Sequence, residues 1–109
     1  MSFCSGQSVS SRESVAVEFG STIEHVNPSL QPESTWIAPG FIDLQINGFA
    51  GADYNDPATS KTAIGASLQA LFATGVTRLF PTVITGSSER ISGALRNLAE
   101  ARQELPYGH

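Results

Sequence analysis

The stretch from Ala38 to Gly48 constrains the fold of this chain more than any other part of the sequence. Its residues alternate in polarity as those of a β-strand do, because successive side chains of a strand point to opposite faces. One predicted face is apolar, and the other carries a carboxylate, two amides and one aromatic ring. The apolar face holds Ile42, Leu44 and Ile46, and the other holds Phe41, Asp43, Gln45 and Asn47. Such a strand suits a barrel whose polar interior opens onto a site.

A helix is expected after a glycine-rich loop that runs from Gly48 through Gly51 to Asp56. Asp56 can accept hydrogen bonds from the first free amide groups, and Pro57 suits the first helical position. The helix should end near Thr74, because the glycine that follows favours a left-handed stop. Its predicted buried face carries residues at helical spacing, namely Ile64, Leu68, Leu71 and Phe72.

A second strand and a second helix follow. The run Val76–Thr85 is apolar and β-branched, as in a strand buried on both faces, but Pro81 removes one ladder donor and predicts a bulge or the strand's end. Ser87 or Ser88 should cap the next helix. That helix is expected to bury Ile91, Leu95, Leu98 and Leu105. Alternating strands and helices predict an α/β fold with parallel strands, and two such units leave an open, apolar sheet edge.

The residues before these units predict a separate, small β region. Residues 1–14 are rich in serine and glycine, so we expect a loose arm there. Alternation in Val15–Phe19 and Thr22–Val26 predicts a hairpin, and Thr35–Ala38 predicts a short strand. We therefore expect residues 1–38 to form the arm and the β region, and residues 39–109 to form two β-α units.

Charge and composition exclude several classes of function. The chain has 109 residues, a net charge of −4 and six basic residues, which argues against binding to nucleic acid. No run approaches the roughly 20 apolar residues of a membrane span, and the N-terminus lacks the pattern of a signal peptide. Cys4 is the single cysteine and cannot form an internal disulfide. These features predict a cytoplasmic protein.

Two motifs resemble the N-acetylglucosamine-6-phosphate deacetylase family of the amidohydrolase superfamily, over about Trp36 to Leu98. They comprise Ala38 to Gly48 with Gly51, Asp53, Asn55 and Asp56, and then Gly75-Val76-Thr77 with Pro81-Thr82-Val83-Ile84-Thr85. The resemblance implies a metal-dependent (β/α)8 TIM barrel, of which residues 39–109 would supply the first two β-α units. It also implies a small β-sandwich, of which residues 1–38 would supply part.

The resemblance further implies the reaction of the complete family enzyme. That enzyme hydrolyses the acetamide of N-acetylglucosamine 6-phosphate to glucosamine 6-phosphate and acetate. Its single zinc-class divalent metal, held by a glutamate and two histidines of later strands, binds the attacking water, and an aspartate acts as general base and then acid. Those residues have no counterpart in this sequence. We therefore assign no catalytic residue to this chain, and expect it alone to bind no metal and to be inactive.

The resemblance places Gln45 and Asn47 where most amidohydrolases carry a His-x-His metal motif. Neutral amides are poor ligands for a zinc-class ion. Both residues are therefore expected to line the pocket or to contact the residues that bind the metal. The alternative is that they satisfy backbone groups in the barrel interior. Gly48 would let a ligand approach the backbone or would serve as a flexible connection. For Asp43 we favour pairing with a cation or with backbone donors over tuning of the metal site.

We expect the other titratable candidates to lie at the surface or to have structural roles. Asp53 is expected in a solvated turn, and Asp56 as a helix cap. His25 has no second ligand nearby, and nothing near Cys4 would lower its pKa. His109 is terminal and lacks the strands it would act with.

Two alternative functions stay open. The chain could belong to another amidohydrolase acting on a different amide, and a His-Leu-Glu-Gly-Pro motif after His109 would favour the deacetylase instead. It could also be a short, non-catalytic protein that forms a homo-oligomer, or binds a partner, through its open sheet edge. The expected small-molecule partner is an amino sugar phosphate, as substrate of the complete enzyme.

Overall fold

The computed structural model describes residues 1–31 and 34–106. It divides into two compact units, Met1–Pro39 and Gly40–His109. The first unit contains strands β1 to β4. The second contains strands β5 to β8 and helices α1 and α2.

The first unit is a four-stranded sheet in the order β3-β2-β1-β4. Its strands are β1 (Ser2–Ser8), β2 (Ser14–Phe19), β3 (Ile23–Pro28) and β4 (Trp36–Ile37). β1 and β3 pair with β2 in antiparallel fashion, and β4 pairs with β1 in parallel. The predicted hairpin and the predicted short strand are thus confirmed.

The prediction of a loose N-terminal arm is wrong, because β1 lies inside this sheet. Backbone hydrogen bonds hold it, including one that Gln7 N donates to Thr35 O over 2.7 Å. Gly6 is buried against Ile37, and a Cβ at this position would collide with both Ile37 and Thr35. The strand therefore depends on backbone pairing and close approach, which its low apolar content did not reveal.

The second unit is built around two parallel strands joined by a helix. The order is β5 (Phe41–Ile46), β6 (Gly48–Phe49), β7 (Ala52–Asp53), α1 (Lys61–Phe72), β8 (Val76–Pro81) and α2 (Ser88–Glu104). β5 and β8 pair in parallel, with Phe41 opposite Val76 and Ile46 opposite Pro81. The predicted α/β class and the parallel pairing are confirmed, because a parallel pair needs a crossover of this kind.

The predicted start of α1 is wrong by one turn. The helix begins at Lys61, and the Ser60 side chain caps it by accepting a hydrogen bond from Ala63 N. Asp56 instead accepts from Ala58 N over 2.9 Å, within a turn that precedes the helix. Competition between a local side-chain turn and a helix cap is common for aspartate. The end of the helix agrees with the prediction, since Gly75 has a φ of +92°.

The core of this unit lies between α1, the β6–β7 hairpin and α2. Its buried members are Ile46, Ala52, Tyr54, Ile64, Leu68, Leu71 and Ala101. Ser87 caps α2 as predicted, but the buried residues of that helix are Ala94 and Ala101 rather than the predicted leucines. Leu95 is 51% exposed, and the other predicted residues, Ile91, Leu98 and Leu105, are half-buried. Small residues are buried where α2 packs closely, so leucines beside them lie at the margin.

The second strand is shorter and less buried than expected. It ends at Pro81, which confirms the predicted effect of the missing N–H donor. Burial on both faces is wrong, since Phe80 is 57% exposed. Ile42 and Leu44 of β5 are also exposed. The sheet has two strands among the described residues, and each strand is paired along one edge. Neither described helix has the length and apolarity that a membrane span requires.

Candidate functional site

The polar residues of β5 lead to the edge of the sheet where β5 and β8 end. Gln45 is exposed, whereas Asp43 and Asn47 are half-buried. The Asp43 carboxylate accepts a hydrogen bond from Gln45 N over 3.1 Å, so it bonds to a backbone donor of its own strand. In parallel α/β sheets, ligands bind outside the carboxyl ends of the strands. Asn47 lies at that end of β5.

Asn47 joins the ends of the two parallel strands. Its side-chain Nδ2 donates to Thr82 O over 2.8 Å. Thr82 N in turn donates to Ile46 O over 2.8 Å, just beyond the last residue of β8. Because Pro81 has no N–H, the ladder between the strands continues through Thr82 and the asparagine amide.

The predicted glycine-rich loop is a tight hairpin formed by β6 and β7. Gly48 and Phe49 pair with Asp53 and Ala52, and the turn residues Ala50 and Gly51 both have positive φ, as in primed hairpin turns. A Cβ on Gly48 would collide with the carbonyl oxygen of Ala52. This close approach explains the glycine structurally.

Asn55 was not among the predicted site residues, yet it is the most connected side chain at this edge. Its Nδ2 donates to Asp53 Oδ1 over 2.8 Å and to Asn47 O over 3.3 Å. Its Oδ1 accepts from Ile84 N over 2.8 Å. We call these residues, together with Thr82, the Asn55 cluster. The sequence signal for it was weak: an asparagine two positions after an aspartate indicates a turn, not a tertiary contact.

Asp53 and Arg90 are the charged groups beside the Asn55 cluster. Hydrogen bonds from Asn55, first from its backbone and then from its side chain, lower the pKa of Asp53, and the nearby Arg90 guanidinium lowers it further. The carboxylate is therefore ionised at neutral pH. A cavity of about 290 Å³ adjoins the two residues and is also lined by Asn55, Val83, Ile84, Thr85, Gly86 and Ile91.

Metal-ligating side chains are dispersed in the part of the chain that the structure describes. Within residues 1–31 and 34–106, no three His, Cys, Asp or Glu side chains come together as ligands would. Gln45 and Asn47 offer neutral amides, which are poor ligands for a zinc-class ion.

The remaining candidates have surface positions or a structural role. His25 is exposed on β3, and Cys4 is an exposed free thiol on β1. Ser87 accepts from Arg90 N, as a helix cap does. His109 lies outside the described residues.

Comparison with known proteins found relatives named as deacetylases of amino sugar phosphates, although no family model matches the chain. An N-acetylglucosamine-6-phosphate deacetylase of Caenorhabditis elegans is 41% identical over 61 residues, which are 52% of this chain and 15% of that protein. The corresponding protein of Mus musculus is 46% identical over 55 residues, covering 49% and 13%. An N-acetylgalactosamine-6-phosphate deacetylase of Shewanella is 36% identical over 74 residues, covering 68% and 18%.

The structural comparison agrees with these matches. The crystal structure of N-acetylglucosamine-6-phosphate deacetylase from Pasteurella multocida aligns with a TM-score of 0.64 and 26% identity, covering 86% of this chain and 27% of that one. This chain is similar in sequence and fold to the N-acetylglucosamine-6-phosphate deacetylases. It spans 13% to 18% of the length of the curated relatives described above. Partial coverage of this kind fits an N-terminal portion of such a deacetylase.

Proposed function

We propose that this chain is the N-terminal part of a deacetylase that hydrolyses the acetamide of N-acetylglucosamine 6-phosphate to glucosamine 6-phosphate and acetate. The agreement between sequence matches and a structural match to proteins of the same name carries this proposal. The match to an N-acetylgalactosamine-6-phosphate deacetylase supports a hexosamine 6-phosphate as the substrate class. A cytoplasmic location fits such a substrate.

The proposal includes the fold of the complete enzyme. In it, β5, α1, β8 and α2 form the first two units of a (β/α)8 barrel. The parallel pairing of β5 with β8 supports this assignment, and so does an apolar groove of about 640 Å³ beside β8 that further elements would cover. The groove is lined by residues of α1, β8, α2 and the residue after α2, among them Leu68, Leu79, Phe80, Leu95, Leu98 and Leu105.

In such a barrel the active site lies at the carboxyl ends of the strands. Gln45, Asn47, Asp43 and Gly48 would then line the pocket or support it. Residues outside this chain would provide the catalytic groups and any metal ligands, because the described residues offer no set that fits the ion. The parts played by this chain are to form one wall of the site and to hold hydrogen-bonding groups in place.

A hybrid enzyme tests this proposal. The matched 55-residue segment of the Mus musculus protein is replaced by the corresponding residues of this chain, and acetate release is measured with N-acetylglucosamine 6-phosphate and with its galacto isomer. We expect release by the hybrid, and none by the purified 109-residue chain with or without added zinc. A hybrid that folds like the parent protein but releases acetate from neither sugar would contradict the proposal.

The exposed sheet supports a second candidate, which is self-assembly through the open edge. Phe41 and Phe80 are 67% and 57% exposed, and long apolar edges tend to pair with other chains. Light scattering after size exclusion distinguishes the two cases. A dimer that dissociates on dilution would favour assembly, whereas a monomer with a sharp unfolding transition would argue against it.

A further inference from the structure

Asn55 occupies an unusual position for a polar residue of a turn. It lies between β7 and α1 and is only 9% exposed. A buried amide is costly unless its donors and acceptor are satisfied. Here they are satisfied by three separate segments of the chain, through Asn47, Asp53 and Ile84.

The chemistry of these contacts requires a carboxamide. One planar group must accept from the Ile84 N–H and also donate two hydrogens, one to the Asp53 carboxylate and one to the Asn47 carbonyl. Aspartate would keep the acceptor but lose both donors, and it would place a second carboxylate beside Asp53. The contacts also fix which way the amide faces, because its oxygen must meet an N–H and its nitrogen must meet a carboxylate.

The hydrogen bonds of Asn55 and the one donated by Asn47 Nδ2 connect Asn47, Asn55 and residues 82–84 in a closed ring. Asn55 donates to the Asn47 carbonyl oxygen, which also accepts from Tyr54 N over 2.9 Å, and Asn55 holds the segment after β8 through Ile84. Two residues before Ile84, Thr82 accepts the hydrogen bond from Asn47 Nδ2. Asn47 is thereby held through both its backbone and its side chain, and one hydrogen of its Nδ2 is directed to the Thr82 carbonyl oxygen.

We propose that Asn55 is a positioning residue, which fixes the Asn47 side chain and residues 82–84 at the carboxyl ends of the two parallel strands. Any consequence for deacetylation rests on the proposed function. The positioning itself does not, because it can be observed in the chain as it stands. Asn55 needs no contact with a substrate for this role.

Nuclear magnetic resonance of the 109-residue chain tests the proposal. In the wild type, we expect a scalar coupling across the hydrogen bond between the Ile84 amide nitrogen and the Asn55 side-chain carbonyl carbon. In Asn55→Ala, we expect the Ile84 amide to exchange with solvent about tenfold faster, which corresponds to the loss of one buried hydrogen bond. We also expect the side-chain amide signals of Asn47 to shift.

Asn97→Ala is the matched control. Asn97 is a half-buried asparagine of the second unit, and its Nδ2 donates to Thr59 O over 2.8 Å, outside the Asn55 cluster. We expect this variant to leave the Asn47 and Ile84 signals unchanged. If Asn55→Ala fails to fold, Asn55→Asp is the second variant, which should move the Asn47 signals while keeping Ile84 protected.

The outcomes separate positioning from a general structural role. If Asn55→Ala lowers thermal stability but leaves the Asn47 signals and Ile84 exchange as in the wild type, the proposal is overturned. Absence of the coupling in the wild type overturns it as well, without any variant. Neither result depends on acetate release, so a failure of the proposed function would be seen separately in the hybrid enzyme.

Discussion

The hydrogen bond between Tyr54 and Ser67 makes a sharp prediction about stability. The two side chains are 1% and 0% exposed, and Tyr54 Oη lies 2.6 Å from Ser67 Oγ. The single hydroxyl hydrogen of Ser67 is directed to Ile64 O over 2.7 Å. Tyr54 must therefore be the donor and Ser67 the acceptor, which makes the two deletions unequal.

Removal of the acceptor should cost more than removal of the donor. Ser67→Ala leaves a buried tyrosine hydroxyl without a partner, and we expect it to lower the free energy of unfolding by about 2 kcal/mol. Tyr54→Phe removes the donor, while Ser67 keeps its bond to Ile64, and should cost about 1 kcal/mol. In the double variant no donor is left unpaired. The decrease in the free energy of unfolding of the double variant should be about 1 kcal/mol smaller than the sum of the decreases of the two single variants.

The assay is urea unfolding followed by far-ultraviolet ellipticity, because both helices belong to the second unit. The fluorescence of Trp36, the single tryptophan, reports on the first unit and serves as an internal control. Equal costs for the two single variants, or strict additivity in the double variant, would refute the assigned donor direction. Burial also raises the pKa of Tyr54. The stability that its protonated form contributes should be complete below the ordinary value of 10.0 and should fall as pH rises above it.

Three further results are expected from single substitutions. The pKa of Asp53 in the folded chain is lowered mainly by Asn55. The stability that the Asp53 carboxylate contributes is therefore present above pH 3.8, the ordinary pKa of the group, and is lost as pH falls through the lower pKa of the folded state. Thermal unfolding at a series of pH values should show this acid loss in the wild type and less of it in Asp53→Asn; parallel curves would contradict it. Gly75 has a φ of +92°, so Gly75→Ala should cost about 1 kcal/mol and Gly75→Asn less, as measured by urea unfolding; equal costs would argue against backbone strain. Lys61 Nζ donates to Glu100 over 2.9 Å and also to Asn97 Oδ1, so Lys61→Met should cost about 1.5 kcal/mol, of which the part due to the Glu100 ion pair, about 0.5 kcal/mol, should shrink at high salt. A cost wholly unaffected by salt would show that the ion pair contributes nothing.

Patterns along the chain revealed β5, β8 and the two helices of the second unit, and missed the β6–β7 hairpin and the contacts that join these elements. The alternation around Ile46 and the helical spacing of Ile64 and Leu68 were sufficient to predict a strand and a helix. The end of β8 at Pro81 was one of two outcomes predicted from the missing N–H, the other being a bulge. These features depend on local chemistry, which a sequence displays directly.

The errors arose where a distant contact decides the structure. β1 forms because Gly6 lets another strand approach, and no hydrophobic pattern records that. Asn55 was expected in the loop before the helix, but its oxygen bonds to Ile84, which is 29 positions away. The exposed leucines and phenylalanines reflect the two-stranded sheet, since patterning predicts which face is apolar and not whether anything covers it.

The Asn55 cluster has a consequence for the order of folding. The contacts of Asn55 with Asp53 and Asn47 span two and eight positions, whereas the contact with Ile84 spans 29. Closing the longer loop costs more chain entropy and requires β8 to lie in place beside β5. The bond to Ile84 therefore forms late, after the two strands have paired. Asn55→Ala should accordingly speed unfolding and leave the folding rate nearly unchanged.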